Sequence, residues 1–319
     1  MAKMTLLVRN ATTFTPTGEL DEKAFAAFLQ TLVDQGFGFY IASGASGEGH
    51  ALTMDELRRV YEIGVSVGKG KVQVNANPPE QNTARMSIEH AKVAAKAGVD
   101  AINIYGPAAW HGFIPNDEEY RAYFDEILAV IKHPVALAPN PIIGYTPNPQ
   151  VIADIANKYS QVVSINMSGQ GDVYFIELKD RLKRDIPMYV QLVGSLNLLG
   201  MGAAGLLGAE ANIIPETHRQ YIDLYEAGKL KELAAVYADI RRFGSYVAKV
   251  KGSSPRWLKM CMRAFKMPGG EGGVRLPYLP EKPEKYEQFI NGLLRLRIPE
   301  IDAKARAAGL TIPVDAKAR

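Results

Sequence analysis

Cross-linking and anchoring residues are scarce in this chain. Its 319 residues include one cysteine, Cys261, so an internal disulfide is excluded and a reducing compartment is expected. A membrane-spanning helix needs roughly 18 consecutive apolar residues, and no run in the sequence approaches that length. The N-terminus also lacks the charged-then-apolar order of a secretory leader. A soluble, cytoplasmic protein without a membrane partner is the expectation. An excess of one charge sign is missing as well: 37 basic residues stand against 34 acidic ones, a net charge of +3. They are dispersed rather than gathered into a basic stripe, which argues against a nucleic-acid partner.

What the chain does have is apolar material in ordered doses. Hydrophobic residues make up 47% of it and the mean hydropathy is near zero, enough to bury a large core in one α/β domain with an appendix. Short β-rich runs alternate with amphipathic helical stretches, the pattern of a parallel sheet wrapped by helices. The runs fall at residues 6–14, 38–42, 72–76, 101–105, 135–138, 162–166, 188–193 and 205–208. Eight of them predict a closed (β/α)8 TIM barrel. Among the intervening helices, residues 21–35 present Phe25, Phe28, Leu29, Leu32 and Val33 on one face. Residues 53–67 open on a Thr53-x-x-Glu56 capping box. After Pro215 the strand pattern stops. Residues 1–215 are therefore read as the barrel core and 216–300 as a C-terminal helical region, interrupted at the breaker-rich segment 267–273. Residues 301–319, rich in Ala, Lys and Arg, read as a frayed tail.

Barrels of this kind carry their functional groups at the C-terminal ends of the strands and in the loops that follow. After the second strand comes Ser43-Gly44-Ala45-Ser46-Gly47-Glu48. Its backbone N–H groups and the Ser46 hydroxyl could cradle a carboxylate, or the glycines could simply ease a tight turn.

That turn, with the Leu52-Thr53-Met54-Asp55-Glu56 that follows, resembles the Gly-Thr-Thr-Gly-Glu loop of the dihydrodipicolinate synthase/N-acetylneuraminate lyase family. Thr12-Thr13-Phe14 stands where that family has Thr-Pro-Phe, and Ala97-Gly98-Val99-Asp100-Ala101 resembles its entry to strand four. Gly205, Ala211-Asn212-Ile213 and Pro215 resemble its eighth-strand exit, and Pro268-Gly269-Gly270 with Arg275-Leu276-Pro277 its C-terminal helices. The likeness spans most of the chain. It implies a 2-oxo-acid substrate, lyase or aldolase chemistry through a Schiff base, and a homotetramer or homodimer.

The reacting residues depart from that pattern. Family members form an imine on a strand-six lysine, because a protonated imine is an electron sink; here Asn166 takes that place. Ala138 aligns with the family's strand-five tyrosine, and Ala108-Ala109 with its paired tyrosines after strand four. No predicted strand exit carries a substitute lysine, so chemistry without a Schiff base is expected. Polar residues instead recur at alternate positions, which in a strand share a face: Asn75 and Asn77, Asn103 and Tyr105, and Ser164, Asn166 and Ser168, joined by Gln191. They form either a satisfied polar core or the lining of a ligand pocket.

Arg9 stands within the apolar first strand. Its guanidinium either snorkels out at the barrel base or holds a carboxylate, from a ligand or from Glu210. His111, beside Trp110 in the loop after strand four, is a candidate general acid or base unless that loop is plain surface. His90 and His218 read as helix surface, and His133 lies at the wrong end of the barrel. Glu48, His50, His111 and Glu210 have ligand chemistry but no tight metal motif, so no metal and no cofactor are expected. The candidate catalytic set is thus His111, Arg9, Glu210 and Asn166. The candidate substrate-binding set is Thr12, Ala45, Ser46, Glu48, Asn75, Asn77, Asn140, Ser168 and Gln191. Two function classes follow: a lyase, hydratase or hydrolase acting on a small carboxylate without a covalent intermediate, or a catalytically silent carboxylate-binding sensor or accessory subunit.

Overall fold

The computed structural model describes residues 4–250 and 254–313. Eight parallel strands close into a barrel in sequence order: β1 (Thr5–Arg9), β2 (Gly38–Ile41), β3 (Val74–Ala76), β4 (Ala101–Tyr105), β5 (Val135–Ala138), β6 (Val162–Met167), β7 (Met188–Gln191) and β8 (Gly205–Gly208). The helices α1 (Glu22–Asp34), α2 (Met54–Gly68), α3 (Ala84–Ala97), α4 (Asp117–Val130), α5 (Pro149–Lys158), α6 (Asp172–Arg181) and α7 (Ser195–Gly200) follow β1 to β7 in turn. Beyond β8 come α8 (Pro215–Glu226), α9 (Leu230–Val247), α10 (Ser254–Ala264), α11 (Pro283–Leu294) and α12 (Pro299–Ala308).

Local chemistry starts the helices where the sequence places them. Asp21 accepts from the Ala24 N–H at the head of α1, and Thr53 and Glu56 form the expected capping box of α2. Phe25, Phe28, Leu29 and Leu32 then bury one stripe of α1 in the large core between helices and sheet. Inside the barrel a second, smaller layer packs Leu7, Tyr40, Ala136 and Leu207, with Tyr189 against it.

Strand lengths differ from the sequence reading at β1. The strand ends at Arg9 because the next hydroxyls leave the ladder: Thr12 Oγ1 donates to the Gly47 carbonyl at 2.7 Å and Thr13 Oγ1 to the Asp21 carbonyl at 2.8 Å. Two further readings are corrected. His218 is buried within α8, where its Nδ1 bonds the Ile214 carbonyl at 2.8 Å, rather than lying on a helix surface. Residues 299–308 form a docked helix rather than a frayed tail. Ile301 and Ala305 of α12 are buried, and Glu300 accepts from both the N–H and the hydroxyl of Thr217 at 2.8 and 2.7 Å. This satisfies N–H groups at the start of α8 that the helix itself leaves open. Residues 314–319 of the expected tail lie outside the described residues.

The C-terminal region is clamped to the barrel by buried or half-buried charges. Arg275 lies over the Phe14 ring at 4.2 Å, donates to the Gly18 and Ala51 carbonyls, and forms a bidentate pair with Glu56. Those bonds hold the Glu56 carboxyl below its ordinary value of 4.5. A depressed folded value stabilises the fold fully above the unfolded one and is lost as pH falls through it. We therefore expect Glu56→Gln to cost about 2 kcal/mol at neutral pH, and this gap to close as urea unfolding is repeated at progressively lower pH below 4.5. A gap that widens in acid would contradict the clamp.

Candidate functional site

At the C-terminal mouth of the barrel two cavities meet, of about 450 and 290 Å³, sharing Arg9, Ala45 and Gln191 as walls. Arg9 is the last residue of β1, so its guanidinium faces this mouth and not the barrel base. Its Nη2 donates to Ser168 Oγ at 3.0 Å, while its buried Nε has no partner among the described residues. That Ser168 partner is neutral. A part-buried guanidinium without a counter-charge costs free energy that a ligand carboxylate would offset.

Below it lies Asn166, buried in the centre of the barrel. Its Nδ2 donates to Tyr40 Oη at 2.8 Å and to Asn103 Oδ1 at 2.7 Å. Both amide protons are thereby used. Burial pushes the Tyr40 phenol well above its ordinary range, against the lowering effect of the Asn166 bond, and burial likewise raises Tyr105. Both phenols stay protonated. Tyr105 bonds Asn77 at 3.2 Å and lines the larger cavity. Around them Asn75 Nδ2, Asn103 Nδ2, Ser164 Oγ and Asn166 Oδ1 lack protein partners among the described residues. Asn77 is thus satisfied within the core, whereas Asn75, Asn103, Ser164 and Asn166 keep donors and acceptors to spend.

The glycine turn is tight for steric reasons. A Cβ on Gly49 would stand 1.9 Å from the Ala42 carbonyl oxygen and one on Gly47 2.7 Å from the Ser43 nitrogen, and Ala42 and Glu48 themselves take left-handed φ of 63° and 51°. Ala45 and Ser46 line the smaller cavity. Glu48 does not. It is 0% exposed and pairs with Lys259 of α10 at 3.3 Å, and the same ammonium donates to the Thr12 carbonyl. Burial raises the Glu48 carboxyl and lowers the Lys259 ammonium, each opposed by the other's charge. Glu48 and Thr12 therefore anchor the turn from beneath and are not placed to touch a ligand.

The remaining candidates divide. Asn140 lines the larger cavity, with its Oδ1 capping the Ile142 N–H at 3.1 Å. Glu210, in a short turn after β8, lines the smaller cavity with Arg9 but makes no ion pair with it. His111 is excluded from both cavities: it sits at φ 50° on an exposed loop, its ring edge-on to Trp110 at 5.2 Å. Glu48, His50, His111 and Glu210 do not converge, and no group of three His, Cys, Asp or Glu side chains does so among the described residues. Sequence reasoning missed Tyr40, Glu80 and Arg256. Tyr40 stands in a strand buried on both faces, which shows no alternation to mark it. Glu80 and Arg256 reach the mouth from a loop and from α10.

A profile of the Dihydrodipicolinate synthetase family matches residues 3–295. The chain belongs to that family. Among its relatives is the 4-hydroxy-tetrahydrodipicolinate synthase of Hyphomonas neptunium, 29% identical over 267 residues, covering 82% of this chain and 87% of the relative. The protein of that name from Chlorobium phaeobacteroides is 26% identical over 275 residues, covering 86% and 90%. The fold is shared with a family member from E. coli K12 solved in complex with pyruvate, at TM-score 0.83 and 19% identity over 93% of this chain and 99% of that one. It is shared also with a dihydrodipicolinate synthase of Bacillus anthracis, at TM-score 0.80 and 21% identity over 96% and 99%.

The Asn166 amide gives a direct test of this geometry. Tyr40→Phe removes one acceptor and leaves a buried N–H unpaired, which costs about 1–3 kcal/mol. Urea unfolding of the variant should show a lower midpoint at unchanged slope. A midpoint equal to that of the parent would mean that the Tyr40–Asn166 bond does not hold the barrel floor together.

Proposed function

We propose that this family member binds a small 2-oxo acid or related carboxylate non-covalently at the barrel mouth, and that any lyase, hydratase or hydrolytic step it performs proceeds by hydrogen bonding and acid–base chemistry without an imine. The observation that carries this reading is Asn166. The lone pair of an amide nitrogen is delocalised into its carbonyl and cannot attack a ketone, and this amide's two protons are committed to Tyr40 and Asn103. No lysine lines either cavity among the described residues. Arg9 supplies the charge for the carboxylate, and Ala45 and Ser46 of the turn, with Gln191, lie within the same walls. Tyr105 is placed to donate a proton or hydrogen bond to a developing negative charge. Membership of a family whose relatives are named synthases supports a lyase-family enzyme.

A second reading, a catalytically silent carboxylate binder, is favoured by one fact: His111 lies outside the cavities that Arg9 and Glu210 line. A homodimer or homotetramer is part of the proposal, since Trp110, Phe113 and Ile114 leave one apolar loop surface 54–66% exposed.

Borohydride treatment with pyruvate, followed by intact-mass measurement, should give no adduct. A stoichiometric adduct on a barrel lysine would sink the non-covalent reading. In parallel, small carboxylates should raise the melting temperature while matched neutral amides do not, because only a ligand that binds the native state shifts it. Arg9→Met should abolish the carboxylate shift. Equal shifts with the amides, or an undiminished shift in the variant, would remove Arg9 from the site.

A further inference from the structure

The larger cavity is walled by a second guanidinium, Arg256, brought to the mouth from outside the barrel by the first turn of α10. Like Arg9 it is only partly satisfied: Nη1 pairs with Glu281 at 3.1 Å, and its buried Nε has no partner among the described residues. Pro255 beside it also lines the cavity, so the helix start, with its partial positive charge, faces the same space. The third charged wall residue is Glu80, whose carboxylate packs against Gly44 and pairs with neither arginine. A cavity of about 450 Å³ falls in the usual range for small-ligand sites, roughly 300–1,000 Å³.

We propose that this cavity selects a 2-oxo acid with two carboxylates, one held at Arg9 and the other at Arg256, over a monocarboxylate such as pyruvate. The proposal rests on the carboxylate site at Arg9 argued above and names its substrate class. The two guanidinium groups enter from different elements, β1 and α10, so one carboxylate of a short monoacid held at Arg9 leaves Arg256 with Glu281 as its counter-charge and its buried Nε still open. A dicarboxylate engages both, and a guanidinium binds a carboxylate through a planar fork of N–H donors that a neutral group cannot match. Glu80, without an ion-pair partner among the described residues, provides on the Gly44 side of the cavity an acceptor for a hydroxyl on the ligand chain and disfavours a third negative charge. The helix that supplies Arg256 also supplies Lys259, which anchors the glycine turn through Glu48. One element thus fixes both the turn and the second cation.

Calorimetric titration of the full chain with pyruvate and with 2-oxoglutarate, at one ionic strength, tests this. The expected result is about tenfold tighter binding of 2-oxoglutarate, as one added charge-assisted contact gives. In Arg256→Gln that ratio should collapse to near unity, and in Arg256→Lys, which keeps the charge, most of it should remain. Melting temperatures of both variants establish that they fold. Equal affinities in the parent protein, or a ratio that survives in Arg256→Gln, would overturn the dicarboxylate assignment while leaving the Arg9 site intact. Failure of both acids to bind would overturn the carboxylate site as well.

Discussion

Polar side chains inside a closed parallel barrel have no edge and no bulk water to turn to, so each must be paired there or be costly. The amide of Asn166 is the centre on which this barrel's interior depends. It joins β6 to β2 through Tyr40 and to β4 through Asn103, three strands that are not neighbours in the sheet. A barrel filled by aliphatic layers could do without such a link. This one has Asn75, Asn103, Ser164 and Tyr40 buried in its strands, and the cross-barrel amide fixes the orientation of Tyr40 and Asn103. It also fixes what the floor can do: donate and accept hydrogen bonds, but supply no nucleophilic nitrogen.

Above that floor the site is shaped by the C-terminal region as much as by the barrel. Lys259 of α10 reaches Glu48 and the Thr12 carbonyl, and Thr12 in turn holds the Gly47 carbonyl. A buried ion pair of this kind contributes little net stability against hydrophobic replacement, yet losing one partner strands the other charge. Its effect here is to hold the glycine turn in one conformation, with left-handed backbone at Ala42 and Glu48. The helices after β8 are therefore part of the site's construction.

Much of the architecture was legible in the sequence because its signals are local. Alternating β-rich runs and amphipathic helices gave eight strands in the right places, and the Thr53–Glu56 capping box formed as read. Where the reading failed, the decisive partner was distant. The first strand stops early because Thr12 bonds Gly47, and α12 docks because Glu300 meets Thr217, 83 positions away. The site followed the same rule. Arg9, Ala45, Ser46, Asn140, Gln191 and Glu210 line the mouth because strand ends point there. Glu48 was misread because its partner, Lys259, lies on a helix 211 positions later by numbering. His111 was misread because a loop's direction is not encoded in its composition, and Tyr40 was missed because a doubly buried strand hides which face looks inward.

The central claim is that a carboxylate sits at Arg9 over an amide floor and stays unattached. A crystal structure of the protein soaked with pyruvate tests it most directly. The account predicts the pyruvate carboxylate against the Arg9 guanidinium, with its ketone carbon separate from every side chain. Electron density continuous from that carbon to a lysine, or pyruvate bound away from Arg9, would contradict it.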